Sequence, residues 1–300
     1  MGAKIEPAEI TPELPPGVRD GFVNTPAVRI HYVEGANTGA PFVFLHGVGR
    51  DWRDCWPLIK AFQNRWHVFA LDFRGHGKSG RAANGYRSGA YAEDVVEFLR
   101  AVVGGPAVLF GHSLGGVAAM HVAAREPELV RAAILGDNVL SRDTLAKSMY
   151  QSLFTGLLEI VPGGGTAEQM ARQLADLRIP VPFLDHPVRI GDLPGNDDAY
   201  LLAWAACLEQ LDPTALQMTV SGTCFEDFDA DDLLQKIKCP TLILQASPEL
   251  GGLMKDEEVQ RALRLLKYPN LMRFPLLGHA LHLQQAQPVI DAVTEFVERL

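Results

Sequence analysis

Cysteine is scarce in this 300-residue chain and follows no pattern. Cys55, Cys207, Cys224 and Cys239 stand far apart, with no C-x-x-C pair and no metal-type spacing. That speaks against a disulfide framework or a zinc module, and for buried or partly buried thiols in a reducing compartment. The opening stretch, Met1-Gly-Ala-Lys-Ile-Glu-Pro7, has no apolar core of a signal peptide. No uninterrupted apolar run approaches the length of a membrane span. A cytoplasmic protein, away from the membrane, is expected. The net charge of −9 comes without a block of one sign. An acidic balance disfavours nucleic acid or an anionic membrane surface as partner. Internal repeats and low-complexity tracts are missing. So is any motif for a metal or a nucleotide, and neither a metal nor another cofactor is expected.

What is present suits a globular chain with a full core, at 47% hydrophobic and 21% charged residues. Residues 1–20, with Pro7, Pro12, Pro15 and Pro16, read as an extended lead-in outside the core. Phe22 to Asn24 and Val28 to Val33 read as a half-exposed edge pair turning at Thr25-Pro26. Pro41 to Leu45 is apolar throughout, as a central strand covered on both faces would be. Further strands are expected at Trp66 to Leu71, Ala107 to Phe110, Val130 to Leu135, Thr241 to Gln245 and Leu271 to Phe274. Helices are expected at Tyr91 to Val102, after Ser113, at Asp256 to Tyr268 and at Pro288 to Leu300. This alternation predicts an α/β fold with a mainly parallel, doubly wound central sheet.

Between about Val139 and Lys238 the alternation stops. Asp143 to Ile160, Ala167 to Leu177, Asp197 to Leu211 and Pro213 to Val220 read as helices, around Gly163-Gly-Gly165 and prolines 180, 182 and 187. The expectation is a helical lid over 139–238, inserted between core segments 21–138 and 239–300. Its aromatic residues Tyr150, Phe154, Phe183, Tyr200, Trp204, Phe225 and Phe228 suggest an apolar underside, with about one in three facing a ligand.

The chemistry centres on Gly111-His112-Ser113-Leu114-Gly115-Gly116. G-x-S-x-G between a buried strand and a helix-forming run is a nucleophile elbow. The serine sits at the tip of a tight turn with its oxygen clear of the chain, and the glycines let the turn pass close to its neighbours. The next helix points its free N–H groups and positive end at the serine, where negative charge develops when a carbonyl is attacked. Without those flanks the residues would be a plain turn with an N-capping serine. Beside an elbow, His46-Gly47-Val48-Gly49 reads as an oxyanion site, with the Val48 and Leu114 N–H groups as donors. Asp72-Phe-Arg74-Gly75-His76-Gly77 reads as a braced loop, Asp72 pairing with Arg74 and His76 fixing the turn. Ser113, Asp137, Glu249 and His279 all follow strand ends, where sites in such sheets lie.

Five pieces in this order, His46 to Gly49, Asp72 to Ser79, Gly111 to Gly116, Pro240 to Leu244 and Gly278-His279, resemble the α/β-hydrolase superfamily over essentially the whole chain after residue 20. The likeness is to its serine-nucleophile, lid-containing, esterase-like branch. It implies Ser113 as nucleophile and His279 as general base, with His282 a weaker competitor or a neighbouring contact. The acid departs from the usual G-x-x-D, which here reads Ala246-Ser247-Pro248-Glu249. Some members place the acid at the end of the preceding core strand, where Asp137 stands. Both Asp137 and Glu249 stay open, with a lean to Asp137 because Pro248-Glu249 suits a turn with a solvated carboxylate. The implied function is a cofactor-independent serine hydrolase that cleaves a small, apolar carboxylic ester. The fold equally hosts carbon–carbon bond hydrolases, lactonases, amidases, perhydrolases, acyltransferases and non-catalytic ligand binders.

Overall fold

A computed structural model describes residues 14–36, 38–83, 85–182 and 184–300. Residues 1–13, with Pro7 and Pro12 of the expected lead-in, and Phe183 lie outside the described residues. The strands are β1 (Val18–Asn24), β2 (Arg29–Gly35), β3 (Pro41–Leu45), β4 (His67–Leu71), β5 (Ala107–His112), β6 (Val130–Gly136), the short β7 (Arg178–Ile179) and β8 (Val188–Arg189), then β9 (Thr241–Ala246) and β10 (Pro269–Phe274). The main sheet runs β1-β2-β4-β3-β5-β6-β9-β10. β2 pairs antiparallel with β1 and β4, and the remaining neighbours are parallel. β5 lies between β3 and β6, so the loops that follow these three strands open side by side.

The uninterrupted apolar runs follow from burial on both faces. Along β3, Val43 and Leu45 join the core on one side of the sheet while Phe42 and Phe44 join the core on the other, as period-two alternation requires. Each such fully buried side chain contributes about 1.5–3 kcal/mol. The helix Leu114–Arg125, which follows β5, is buried from Leu114 to Ala123. It therefore carries no polar stripe. No helix of the described residues is long and apolar enough to cross a membrane.

Four local expectations need correction. β1 begins at Val18, inside the expected lead-in, because Gly17 turns the chain at φ +83° and seven residues then pair in register with β2. The helix expected over 143–160 is two, Arg142–Ala146 and Met149–Ile160. Ser148 breaks it, its hydroxyl accepting from the Tyr150 N–H at 3.2 Å as an N-cap. The proline-rich run contributes the β7–β8 pair rather than loop alone. Asp72 does not pair with Arg74. Its carboxylate accepts from the Trp52 and Lys78 N–H groups and meets His31 Nδ1 at 2.7 Å, while Arg74 Nε donates to Asp94 at 2.6 Å. Two buried charges close in sequence each find a distant partner, because the loop turns them apart. His76 does fix this loop, its Nδ1 meeting the Arg74 carbonyl at 2.9 Å.

Helices at Ala167–Asp176, Asp198–Leu208, Pro213–Val220 and Ala230–Lys236 complete the stretch between β6 and β9. Thr166 and Gln169 form a capping box on the first of these. Thr166→Ala is expected to lower stability by about 1 kcal/mol, read from the midpoint of a urea unfolding curve, with no effect on the site.

Candidate active site

Ser113 sits between β5 and the helix Leu114–Arg125 with φ +54° and ψ −117°, a conformation that an L-residue adopts only under constraint. The constraint is visible at the glycines around it. A Cβ on Gly111 would stand 2.1 Å from the Gly115 carbonyl oxygen, and one on Gly115 would stand 2.2 Å from the Leu45 oxygen. Helix, elbow and β3 thus touch backbone to backbone. The loop after β3 also passes Ser113, since a Cβ on Gly47 would lie 3.2 Å from Ser113 Cβ. Leu114 is the first residue of its helix, and its N–H has no acceptor within the helix. Val48 lines the same cavity as Ser113.

Asp137 follows β6, also with positive φ, at +42°, and is fully buried. Its Oδ2 meets His279 Nδ1 at 2.8 Å and accepts from the Leu253 N–H at 2.8 Å. Its Oδ1 accepts from the N–H groups of Ala246 at 3.2 Å and Met254 at 3.4 Å. A carboxylate held by three amides only accepts, so His279 Nδ1 carries the proton and Nε2 keeps its lone pair. Glu249 is placed differently. Its carboxylate is exposed and accepts from Ser247 Oγ at 2.7 Å, as suits a proline-led turn. His279, after β10, and Ser113 line one cavity of about 580 Å³, together with Glu249 at its rim. Tyr150, Phe154, Tyr200 and Trp204 line it too, a larger share of the aromatic set than expected. The helices that carry them turn their apolar faces to the cavity.

Burial pushes His279 down from its ordinary pKa of 6.5, and the Asp137 hydrogen bond opposes this without cancelling it; neighbouring His112 adds to the lowering.

The structure also gathers residues that the sequence reading passed over. His112, inside the elbow, approaches the His279 carbonyl oxygen with Nε2 at 2.9 Å. A carbonyl only accepts, so His112 Nε2 is protonated and ties the loop of His279 to β5. Its Nδ1 then faces Asp54 Oδ2 at 3.7 Å, and His282 Nε2 faces the same oxygen at 3.4 Å. His282, the competitor for the base, therefore points at Asp54 beneath the site. These three ligand atoms lie within 4.8 Å of one another, close enough to share one cation. Burial drives the Asp54 carboxyl up, but the two imidazoles and Arg50 outweigh it and hold it well below the usual carboxylate range. Arg50 Nε is 3.7 Å from Asp54, its Nη2 donates to Tyr200 Oη at 2.5 Å, and its guanidinium lies 4.2 Å from the Trp204 ring centre. Arg50 and Asp54, four apart beside Trp52, Cys55 and Trp56, were the available signal: charges inside an apolar stretch.

A profile of the alpha/beta hydrolase family matches residues 42–292. A 2-(acetamidomethylene)succinate hydrolase of Mesorhizobium japonicum is 34% identical over 105 residues, which cover 35% of this chain and 38% of that one. The aligned stretch therefore spans well under half of that relative. An sn-1-specific diacylglycerol lipase of Danio rerio is 23% identical over 270 residues, 88% of this chain and 80% of the other. Among solved structures, an E-2-(acetamidomethylene)succinate hydrolase superposes with a TM-score of 0.74 at 21% identity, over 94% of this chain and 99% of that chain. With the parallel sheet, the elbow and a family profile spanning most of its length, the chain belongs to the alpha/beta hydrolase family.

Proposed function

We propose that the protein is a cofactor-independent serine hydrolase that cleaves a carboxylic ester through an acyl-enzyme. Ser113 Oγ attacks the carbonyl carbon as His279 Nε2 takes its proton. The N–H groups of Val48 and Leu114 hold the oxyanion. His279 then protonates the leaving alcohol, activates water against the acyl-enzyme, and returns the proton to Ser113. Asp137 holds the imidazole in the required tautomer and stabilises the imidazolium. The helices between β6 and β9 serve as the lid over an apolar ester. The observation that carries this reading is the pairing of a strained serine and a carboxylate-held imidazole on one cavity. A fluorophosphonate probe is expected to label Ser113 in the folded protein and to leave Ser113→Ala unlabelled; a folded, unlabelled native protein would end the proposal. The name of the Mesorhizobium relative, an acetamido-bearing compound's hydrolase, favours amide cleavage as a second reading, and amides belong in the same assay.

The pH profile follows from the base. Its neutral form must be present, and burial lowers the His279 pKa below 6.5. The acid limb of kcat/KM is therefore expected to inflect below pH 6.5, and an inflection above that value would count against His279. The same shift makes stability depend on pH. The unfolded chain takes up this proton near 6.5 and the folded one only at lower pH, so the contribution is present above 6.5 and is lost as pH falls through the folded value.

A further inference from the structure

We propose that the acyl group passed to Ser113 is a formyl or acetyl group and that the bulk of the substrate is the leaving group. This rests on the serine-hydrolase reading above and adds the substrate class. Two spaces of very different size meet at Ser113. The wide one, of about 580 Å³, has His279 in its wall and ends at Leu250 and Leu276, which are 53% and 82% exposed. The other holds about 10 Å³ and has Leu114, Leu145, Phe154 and Phe225 among its walls, but not His279.

Proton transfer decides which half of an ester goes where. The imidazole must reach the oxygen that leaves and then the water that replaces it. Both need the space that His279 faces, which is the wide, open one. The acyl substituent stays on Ser113 while water attacks, so it takes the remaining space, beside the Leu114 N–H that holds the oxyanion. About 10 Å³ is room for one water-sized sphere. A hydrogen or a methyl group fits there. A longer chain must displace Leu145, Phe154 or Phe225, each no more than 8% exposed. Phe154 and Val48 line both spaces. In bond terms the Ser113 Oγ–carbon bond forms first, giving the oxyanion, the acyl carbon–alkoxy bond then breaks, and the serine proton leaves with the alcohol. Water then breaks the Oγ–carbon bond, giving formic or acetic acid and restoring the hydroxyl.

The test is a series of nitrophenyl acetate, butyrate and octanoate, set against acetates of small and bulky alcohols and methyl octanoate. From acetate to butyrate kcat/KM is expected to fall at least about 10- to 200-fold, the discrimination that a single surplus methylene already meets in a closed apolar pocket, and butyrate carries two. Acetates of different alcohols should stay within about tenfold of one another, as a roomy, open site allows. Phe225→Ala should raise butyrate relative to acetate at least about tenfold. Should that variant not fold, the unmodified protein's series decides alone. Octanoate cleaved as well as acetate, or methyl octanoate cleaved better than the acetates, would overturn the proposal while Ser113 still takes the fluorophosphonate. A protein that neither labels at Ser113 nor cleaves any ester loses both readings.

Discussion

Asp137→Asn is expected to lower ester turnover about 10⁴-fold, while Glu249→Gln stays within a few-fold of the unmodified protein. The size follows from what the carboxylate touches. Each Asp137 oxygen already accepts a backbone N–H, Oδ1 from Ala246 and Met254 and Oδ2 from Leu253. An asparagine NH₂ on either side would face a donor. Turned towards Oδ2, it also faces His279 Nδ1, and the ring must then present its lone pair inward and its proton to Ser113. The imidazole would be in the wrong tautomer to act as a base. The buried donor–donor contact adds about 1–3 kcal/mol of destabilisation. Circular dichroism and a urea titration must therefore accompany the kinetics, so that loss of chemistry is measured on folded protein. The Glu249 carboxylate accepts from Ser247 Oγ and is exposed, so its amide changes little. Equal activity in Asp137→Asn, with a collapse in Glu249→Gln, would transfer the acid's role to the rim.

Gly115→Ala is expected to cost about 3 kcal/mol or more, the upper end of overpacking in a core. The added methyl would stand 2.2 Å from the Leu45 oxygen and 2.6 Å from the Leu45 carbon. Both are backbone atoms of β3, a strand paired on both sides, so neither neighbour can rotate away as a side chain would. Relief requires the helix Leu114–Arg125 to lift from the sheet, and that moves Ser113 and the Leu114 N–H with it. Activity should therefore fall even in whatever fraction folds. Gly105→Ala is the control. Nothing lies within 4 Å of its added Cβ, and its effect should stay within about 0.5 kcal/mol. Chemical denaturation of the two variants beside the unmodified protein gives the comparison. A Gly115→Ala protein of unchanged stability would show that the elbow is not clamped between helix and strand.

The fold class was legible because its signals are local. β3 and the greater part of β5 and β9 are short apolar runs, because strands buried on both faces carry no alternating polar side. The elbow was legible for the same reason, since strand, glycine, serine and helix formers are adjacent in the chain. Where the reading went astray, the deciding contacts were distant. Arg74 lies two residues from Asp72, but pairs with Asp94, and Asp72 reaches His31 and the Trp52 amide. Sequence proximity is a poor guide to ion pairs inside a folded loop, because each charge takes the partner that the turn brings to it. Asp54, His112 and His282 belong to segments far apart in the chain, and no spacing announces them.

The amino-acid order by itself determined the parallel sheet, the serine at its sharp bend and the histidine beyond the last strand, because hydrophobic period and turn chemistry act within a few residues. Only the tertiary structure decided which carboxylate faces that histidine, how the buried charges are shared out, and how much room lies on each side of the serine. Those depend on which strands are neighbours and how their end loops pack, and that geometry exists only once the sheet is assembled.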